Sequence, residues 1–374
     1  MRTPLCDEFG IEFPIFAFSH CRDVVAAVSR AGGFGVLGAL AFTDDQLEVE
    51  LSWIDEHVDG KPYGVDVVMP ASIAGSEIAA LEKMIPDAHR QFVEDVLARF
   101  DVPRLPDEEM RIEGLLAWTH DKARRQVDVA LAHPISLLAN ALGAPPADVI
   151  EKAHSKGVKV AALVGTAHQA RYQVEAGVDV VVAQGTEAGG HTGEIATMVL
   201  VPEVVEEISP APVLAAGGIG TGKQVAAALA LGAAGVWTGS IWLTVKEADT
   251  SPVIVEKLLS ATSRDTVRSR SMTGKTARLL RTGWTEAWDS PDSPGALPMP
   301  LQFMLNADAL SRIHRYAESE SSRARELVGS PVGQIVGRMN TVRSTRDVIL
   351  DLASGFVEAV ERLNASLPVE EKSK

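Results

Sequence analysis

The strongest constraint in this chain is a succession of short apolar runs. Eight recur through its first two-thirds: FPIFAF (13–18), FGVLG (34–38), YGVDVV (63–68), PISLLA (134–139), VKVAALV (158–164), VDVVVA (178–183), PVLAA (212–216) and AGVWT (234–238). They do not alternate cleanly between apolar and polar residues, which suits parallel strands covered on their outer face. Between them lie helical segments such as DVVAAVSRAG, PADVIEKAHSKG, AHQARYQVEAG and KQVAAALALG, ending at or near glycine. Eight β-then-α units in order predict an α/β fold, a (β/α)8 TIM barrel; an open doubly wound sheet is the alternative. With 374 residues, 46% of them hydrophobic, the chain can bury a core of that size and still carry insertions.

The spacing breaks once. About 65 residues separate the third run from the fourth, where a single crossover needs ~25. The excess, 71–110, is charged and helical, ends near DVPRLPDEE, and follows a strand C-terminus. It reads as an inserted helical lid over the barrel mouth. After the eighth run the character changes again, with WDSPDSPGALPMPLQ and the basic RDTVRSRSMTGK. The expected organisation is a barrel over 1–245 and a C-terminal helical and loop extension over 246–374 packed on it.

Charge and cysteine content narrow the partners. Thirty-five Lys and Arg against 50 Asp and Glu give −15, which argues against nucleic acid or an anionic membrane as the main partner. Two cysteines, Cys6 and Cys21, make neither a disulfide scaffold nor a four-ligand zinc site. With Asp7, Glu8 and Glu12 interrupting any apolar leader, a cytoplasmic protein is expected. The uncharged stretch Gln224–Val245 is divided by Gly232, Gly235 and Gly239 and reads as a buried helix, a turn and a strand.

Two glycine motifs invite a wrong reading. GFGVLG (Gly33, Gly35, Gly38) matches a dinucleotide fingerprint, but a helix precedes it and its glycines enter the strand. It reads as a tight helix-to-strand turn. GGIGTGKQ has the strand-to-helix setting of a P-loop, yet Gln224 stands where a magnesium-binding hydroxyl belongs. A simpler reading joins two loops. Gly217, Gly218, Gly220 and Gly222 follow the seventh run, and Thr238, Gly239 and Ser240 follow the eighth. Barrels of this kind commonly hold a phosphate there, on backbone N–H groups and a helix N-terminus.

The sixth run leads into AQGTEAGGHTGE (183–194). Gln184 can donate and accept at a planar heterocycle. Gly189 and Gly190 remove side chains where a flat ring would lie against backbone. His191 projects from between small residues at the end of the barrel where chemistry sits, and an imidazole titrating near neutrality suits removal of a weakly acidic C–H proton. His20 and His133 flank strands and are further candidates for the mouth or rim.

FPIFAF, AGGFGVLGA, YGVDV, AQGTEAGGHTG, LAAGGIGTG and GVWTGSIWL, in that order, resemble the nitronate monooxygenase family, itself similar to FMN-dependent enoyl reductases. The resemblance implies a TIM barrel with non-covalent FMN. Gln184 and Gly189 would meet the flavin ring or ribityl chain, Gly217, Gly218 and the Trp237–Ser240 turn (Trp237, Thr238, Gly239, Ser240) the phosphate, and His191 would be the base. Asp66 stands where the family usually has Asn, and a carboxylate there would disfavour added negative charge on the reduced ring. The family's Pro–Met pair is replaced by Ala17, Phe18, Ser19 and His20. The implied activity is FMN-dependent oxidation of nitronates or nitroalkanes by O2 to a carbonyl compound and nitrite. A second reading is an NAD(P)H-dependent FMN reductase of an enoyl thioester or quinone. The expected partners are a small-molecule substrate, O2 and, in the second reading, NAD(P)H; a homo-oligomer is compatible with the sequence.

Overall fold

The computed structural model describes residues 1–69, 78–105 and 120–367. The strands, in chain order, are β1 (Ile15–Ser19), β2 (Phe34–Gly38), β3 (Tyr63–Asp66), β4 (Leu137–Asn140), β5 (Lys159–Val164), β6 (Val180–Gln184), β7 (Gly190–His191), β8 (Val213–Ala216), β9 (Gly235–Thr238), β10 (Thr266–Ser269) and β11 (Ala277–Leu280). The eight apolar runs form a closed parallel barrel in the order β1-β2-β3-β4-β5-β6-β8-β9, with β9 paired back to β1. The fold is the expected (β/α)8 TIM barrel.

Each strand splits its side chains between two cores, because successive residues point to opposite faces. Phe16, Phe34, Val36, Leu137, Val180, Val182 and Leu214 fill the interior. Ile15, Val65, Leu138, Val160, Val181 and Val213 meet the surrounding helices. Helix Pro4–Phe9 adds Leu5, Cys6 and Phe9 to the interior, and the Phe9 ring meets Phe16 and Phe34 edge-on at 5.4 and 5.1 Å. Phe16 and Phe34 lie near the strand beginnings, so this helix closes the N-terminal end and leaves the C-terminal end as the mouth.

Three of the helices begin at Thr-x-x-Gln. Thr43, Thr166 and Thr221 each accept a hydrogen bond from the amide three residues on, which satisfies one of a helix's orphan N–H groups. The glutamines complete the turns. Gln46 binds back to the Thr43 amide, while Gln169 and Gln224 accept from Gly165 and Gly220, one residue before the cap.

The glycine motifs have structural explanations. A Cβ on Gly35 would lie 2.3 Å from the carbonyl oxygen of Val25, so GFGVLG is the close approach of helix Arg22–Arg30 to β2. A Cβ on Gly222 would lie 2.2 Å from the amide nitrogen of Phe356, in the last helix, Thr345–Ala365. That helix packs against Gly222–Ala230 and Arg22–Arg30, the helices flanking the β9–β1 seam. It therefore occupies the eighth position of the helical ring.

The chain leaves the barrel after β9 and comes back to the same place. Val245 bridges Arg343 in parallel, Lys246 N–H donates to the Arg343 carbonyl, and the Glu247 carboxylate accepts from the amide and hydroxyl of Thr345. Residues 246–343 are thus an excursion between the eighth strand and its helix. We propose that Thr345–Ala365 be counted with the 1–245 barrel unit and that the excursion be set apart.

Within the excursion, β10 and β11 pair antiparallel, and β11 pairs with β7. The part of the 71–110 insertion that is described, helices Ile78–Lys83 and Asp87–Arg99, is helical as expected; the remainder of that span lies outside the described residues. Asp87–Arg99 packs on the excursion's helix Leu301–Ala317. Buried Arg312 binds Glu94 at 2.9 Å and the carbonyls of Val102 and Pro103, and Phe92 meets Trp288 edge-on. The described part of the insertion thus packs on the excursion. Among the described residues no helix is long and apolar enough to cross a membrane; Gln224–Val245 is helix, turn and strand.

Candidate active site

The mouth has two kinds of wall. One is made by the barrel strands themselves. Gln184 continues the inward set Val180 and Val182, and Asp66 continues the inward set begun by Gly64, whose absent Cβ would meet Phe34 and Leu137. They stand on opposite sides of the lumen, three strands apart. Trp237 lies flat beside Phe16, 9° from parallel at 6.4 Å, and forms an aromatic floor.

Above the floor, the loops after β8 and β9 present backbone. Gly217 and Gly218 have φ of +106° and +70°, a region L side chains rarely adopt. Gln224 holds this turn: its Nε2 donates to the Gly218 carbonyl, and its Oε1 accepts from the Gly220 amide and the Thr221 hydroxyl. Among the described residues the amides of Gly218 and Gly239 donate to no protein acceptor, and a Cβ on Gly239 would point into open space. Free amides on adjacent glycine loops fit a phosphate. The side chains of the turn are engaged elsewhere. Thr238 Oγ1 donates to the Phe16 carbonyl, Trp237 is in the floor, and Ser240 Oγ accepts from the Gly333 amide. Anion binding here rests on backbone.

The other wall comes from the excursion. The Thr186–Glu194 segment, expected to be a loop, carries β7, and β7 is pinned by Ala277 opposite His191 and Arg278 opposite Gly190. The space at Gly189, expected to admit a flat ring, is filled: a Cβ there would lie 2.8 Å from Val332 and Gly333 backbone. Gly190, with φ +79°, faces open space instead. Glu187 caps helix Thr197–Ile208 through the Thr197 amide and hydroxyl, so this carboxylate shapes the segment.

His191 Nε2 lies 2.7 Å from Thr273 Oγ1. When the Thr273 hydroxyl donates to the Lys275 carbonyl, 3.3 Å away, its oxygen accepts from Nε2–H and Nδ1 is left as the imidazole's acceptor. The expectation of an imidazole titrating near neutrality is not met. Burial, and secondarily the Lys275 ammonium, lower it to about 4. The loop carrying Thr273 is itself clamped: Gln302 and Asn306 donate to the Ser271 carbonyl, and Asn306 also to that of Met272. Thr273 was not apparent in the sequence, since it lies 82 residues from the histidine it touches.

His20 stands at the mouth after β1, its Nδ1 2.9 Å from the Gly38 carbonyl. His133 lies at the opposite end before β4, bound to Asp55 and Glu48. Beside the His191 segment, Arg268 and Arg278 are directly opposed across β10 and β11. Arg278 is buried and donates to the Thr186 carbonyl and Thr266 hydroxyl; Arg268 donates to the Gly193 carbonyl, and its buried Nε has no partner among the described residues.

The sequence model for nitronate monooxygenase matches residues 2–355. A Mycobacterium tuberculosis protein named as a monooxygenase is 56% identical over 369 residues, covering 97% of this chain and 98% of the relative. A Staphylococcus saprophyticus protein named as a nitronate monooxygenase is 30% identical, covering 74% and 78%. Among solved structures, nitroalkane oxidase from Streptomyces ansochromogenes superposes with a TM-score of 0.78 at 25% identity, covering 96% and 99%. FabK from Thermotoga maritima gives 0.73 at 29%, covering 98% and 100%.

Proposed function

The chain belongs to the nitronate monooxygenase family, and from that membership we propose that it is an FMN-dependent oxidoreductase that oxidises nitronates or nitroalkanes with O2. The observation that carries the reading is the placing of His191 and the unpartnered glycine amides on one rim of a barrel whose other end is sealed. Gly218 and Gly239 would bind the FMN phosphate through backbone N–H. Gln184 and Asp66 offer polar groups to the ring edges from opposite walls. FMN, when bound, supplies the electron acceptor that passes electrons to dioxygen.

The chain's own residues do the rest. His191 is neutral across the physiological range, so Nδ1 is ready to take the α-proton of a nitroalkane. Thr273 fixes the tautomer. The proton then sits on Nδ1 until solvent removes it. A nitronate arrives already deprotonated and needs only binding and orientation.

One observation favours a second reading, an NAD(P)H-dependent reductase. The cross-strand pair Arg268–Arg278 beside the mouth is bonded to neutral oxygens, and Arg268 depresses the Arg278 guanidinium after burial does. Like charges so placed repel, and a cofactor or thioester phosphate would relieve them. The test is direct. Purified protein should be yellow and release FMN on heating. Stopped-flow mixing with a nitronate should bleach the flavin faster than NADH or NADPH does. The reverse order selects the reductase, and a colourless protein that takes up no FMN removes both readings.

A further inference from the structure

Asp66 ends β3 on the lumenal side of the mouth. The alternation of the strand fixes its direction: Tyr63, Val65 and Val67 pack in the outer core, and Gly64 faces inward. The side chain is 4% exposed, and its Oδ1 has no hydrogen-bond partner among the described residues. Among the described residues, the elements around it bring no charge. Its register neighbours are Gly38 on β2 and Ala139 on β4. Asn140, next along β4, is turned away, with Oδ1 on the amides of Met69 and Leu142 and Nδ2 on the Gly143 carbonyl. Gln126, behind β2, donates to the carbonyls of Ala39 and Phe42. From the loop after β1 comes one titratable group, His20, and its ring nitrogen is on the Gly38 carbonyl. Across the lumen stand Phe18, Gln184 and Trp237, none of them ionisable.

An ionised carboxylate with neither donor nor cation is costly to bury, whereas the un-ionised acid avoids that cost and gains an O–H donor. Burial alone raises this carboxyl to about 7. Resting on the flavin reading of the mouth, we propose that Asp66 serves as an un-ionised hydrogen-bond donor to the bound flavin ring, so that flavin binding to the ionised protein takes one proton from solvent onto the Asp66 carboxylate. A second face of the same device is electrostatic. The neutral acid sets no negative charge beside a ring that must accept electrons, which removes the penalty a carboxylate at this position would impose.

The experiment is flavin binding to the full-length, flavin-free protein from pH 5 to 9. FMN affinity is read by fluorescence quenching and proton uptake by calorimetry in two buffers of different ionisation enthalpy. Wild type should show a constant affinity at low pH. Above the ionisation of free Asp66 the affinity should fall about tenfold per pH unit, with close to one proton taken up. Asp66→Asn should abolish that fall and that uptake while binding about as tightly as wild type does at low pH. The FMN phosphate titrates in both proteins and cancels in the comparison. The wild-type calorimetry stands by itself if the variant does not fold. Wild-type affinity independent of pH, with no proton uptake, overturns the proposal alone, as does an Asp66→Asn variant that keeps the wild-type profile. Absence of FMN binding at every pH overturns the reading of the mouth and the proposal with it.

Discussion

The two walls of the mouth differ in how their polar groups are treated. On the barrel's own wall, Asp66 Oδ1 and the amides of Gly218 and Gly239 have no partner among the described residues. On the wall that the excursion completes, His191, Thr273 and the carbonyls of Ser271 and Met272 are bonded within the protein, while among the described residues Arg268 Nε, Ser271 Oγ and Asn306 Oδ1 have no partner. Buried polar groups are ordinarily satisfied, so the open groups of the first wall have room for something to be added, whereas the His191 ring on the second is already held by Thr273. On the proposed reading, flavin would bind on the barrel strands and the proton would be handled by His191, which the excursion holds in place.

The largest expected effect tests the second wall. If His191 is the base, His191→Asn should slow oxidation of a neutral nitroalkane on the order of 10²–10⁴-fold, while the matching nitronate loses much less. Equal losses in steady-state kcat/KM would make His191 a binding residue and leave the flavin assignment standing.

The next test sets the walls against each other through pH. Asp66 is raised to about 7 from the ordinary 3.8, so the folded state holds its proton longer than the unfolded state does. Its contribution to stability is full below about pH 4 and is lost as pH rises to about 7. His191 is lowered to about 4 from 6.5, and its contribution runs the other way, present above pH 6.5 and lost as pH falls toward 4. The two slopes oppose each other over pH 4–6.5 and flatten the wild-type profile. Asp66→Asn should expose the His191 slope and raise the stability of the flavin-free protein at pH 8 by at most about 4 kcal/mol, with little change at pH 4. Thermal unfolding across pH measures this, and a gain of equal size at both ends would show that Asp66 does not titrate in the fold.

The smallest effect sharpens the role of Thr273. A single neutral hydrogen bond is worth about 0.5–1.5 kcal/mol, so Thr273→Val should lower nitroalkane turnover by roughly threefold to tenfold. Thr273→Ser should restore it, because the hydroxyl and not the methyl fixes the tautomer. If Val and Ser variants lose activity alike, packing at the loop is what matters. A pH profile of kcat/KM that moves in Val but not in Ser would separate tautomer control from packing.

The barrel wall was legible in the sequence because its signal is local. Apolar runs, helix starts and glycine turns recur within about 25–30 residues of one another, and β3, β6, β8 and β9 deliver Asp66, Gln184 and the glycine loops without help from elsewhere. The excursion's contribution was not legible because it depends on pairing between distant segments. Nothing near His191 announces that residues 277–278 will pin it as a strand or that Thr273 will hold its ring. Gly189 illustrates the limit. Its lack of a side chain makes room not for the flat ring expected there but for Val332–Gly333 backbone. Gln224 shows the reverse: it departs from the P-loop pattern because its amide ties the Gly218 turn. The Trp237–Ser240 turn lies where the spacing put it, although its side chains serve the fold and its free backbone faces the mouth.

The last helix has a consequence for how the molecule is made. Gly222 and Gly355 let two helix backbones come together at the seam where the barrel closes, and the second of those helices follows the first in the chain across the whole excursion. All eight barrel strands emerge about a hundred residues before the piece that covers the β9–β1 seam. Through that interval the nascent chain carries an open apolar stripe along Gly222–Ala230 and Arg22–Arg30. Only after Ile349 and Leu352 arrive can it be covered, so a ribosome that stops within the excursion releases a barrel with one side uncovered, a substrate for chaperones and proteases before it is an enzyme.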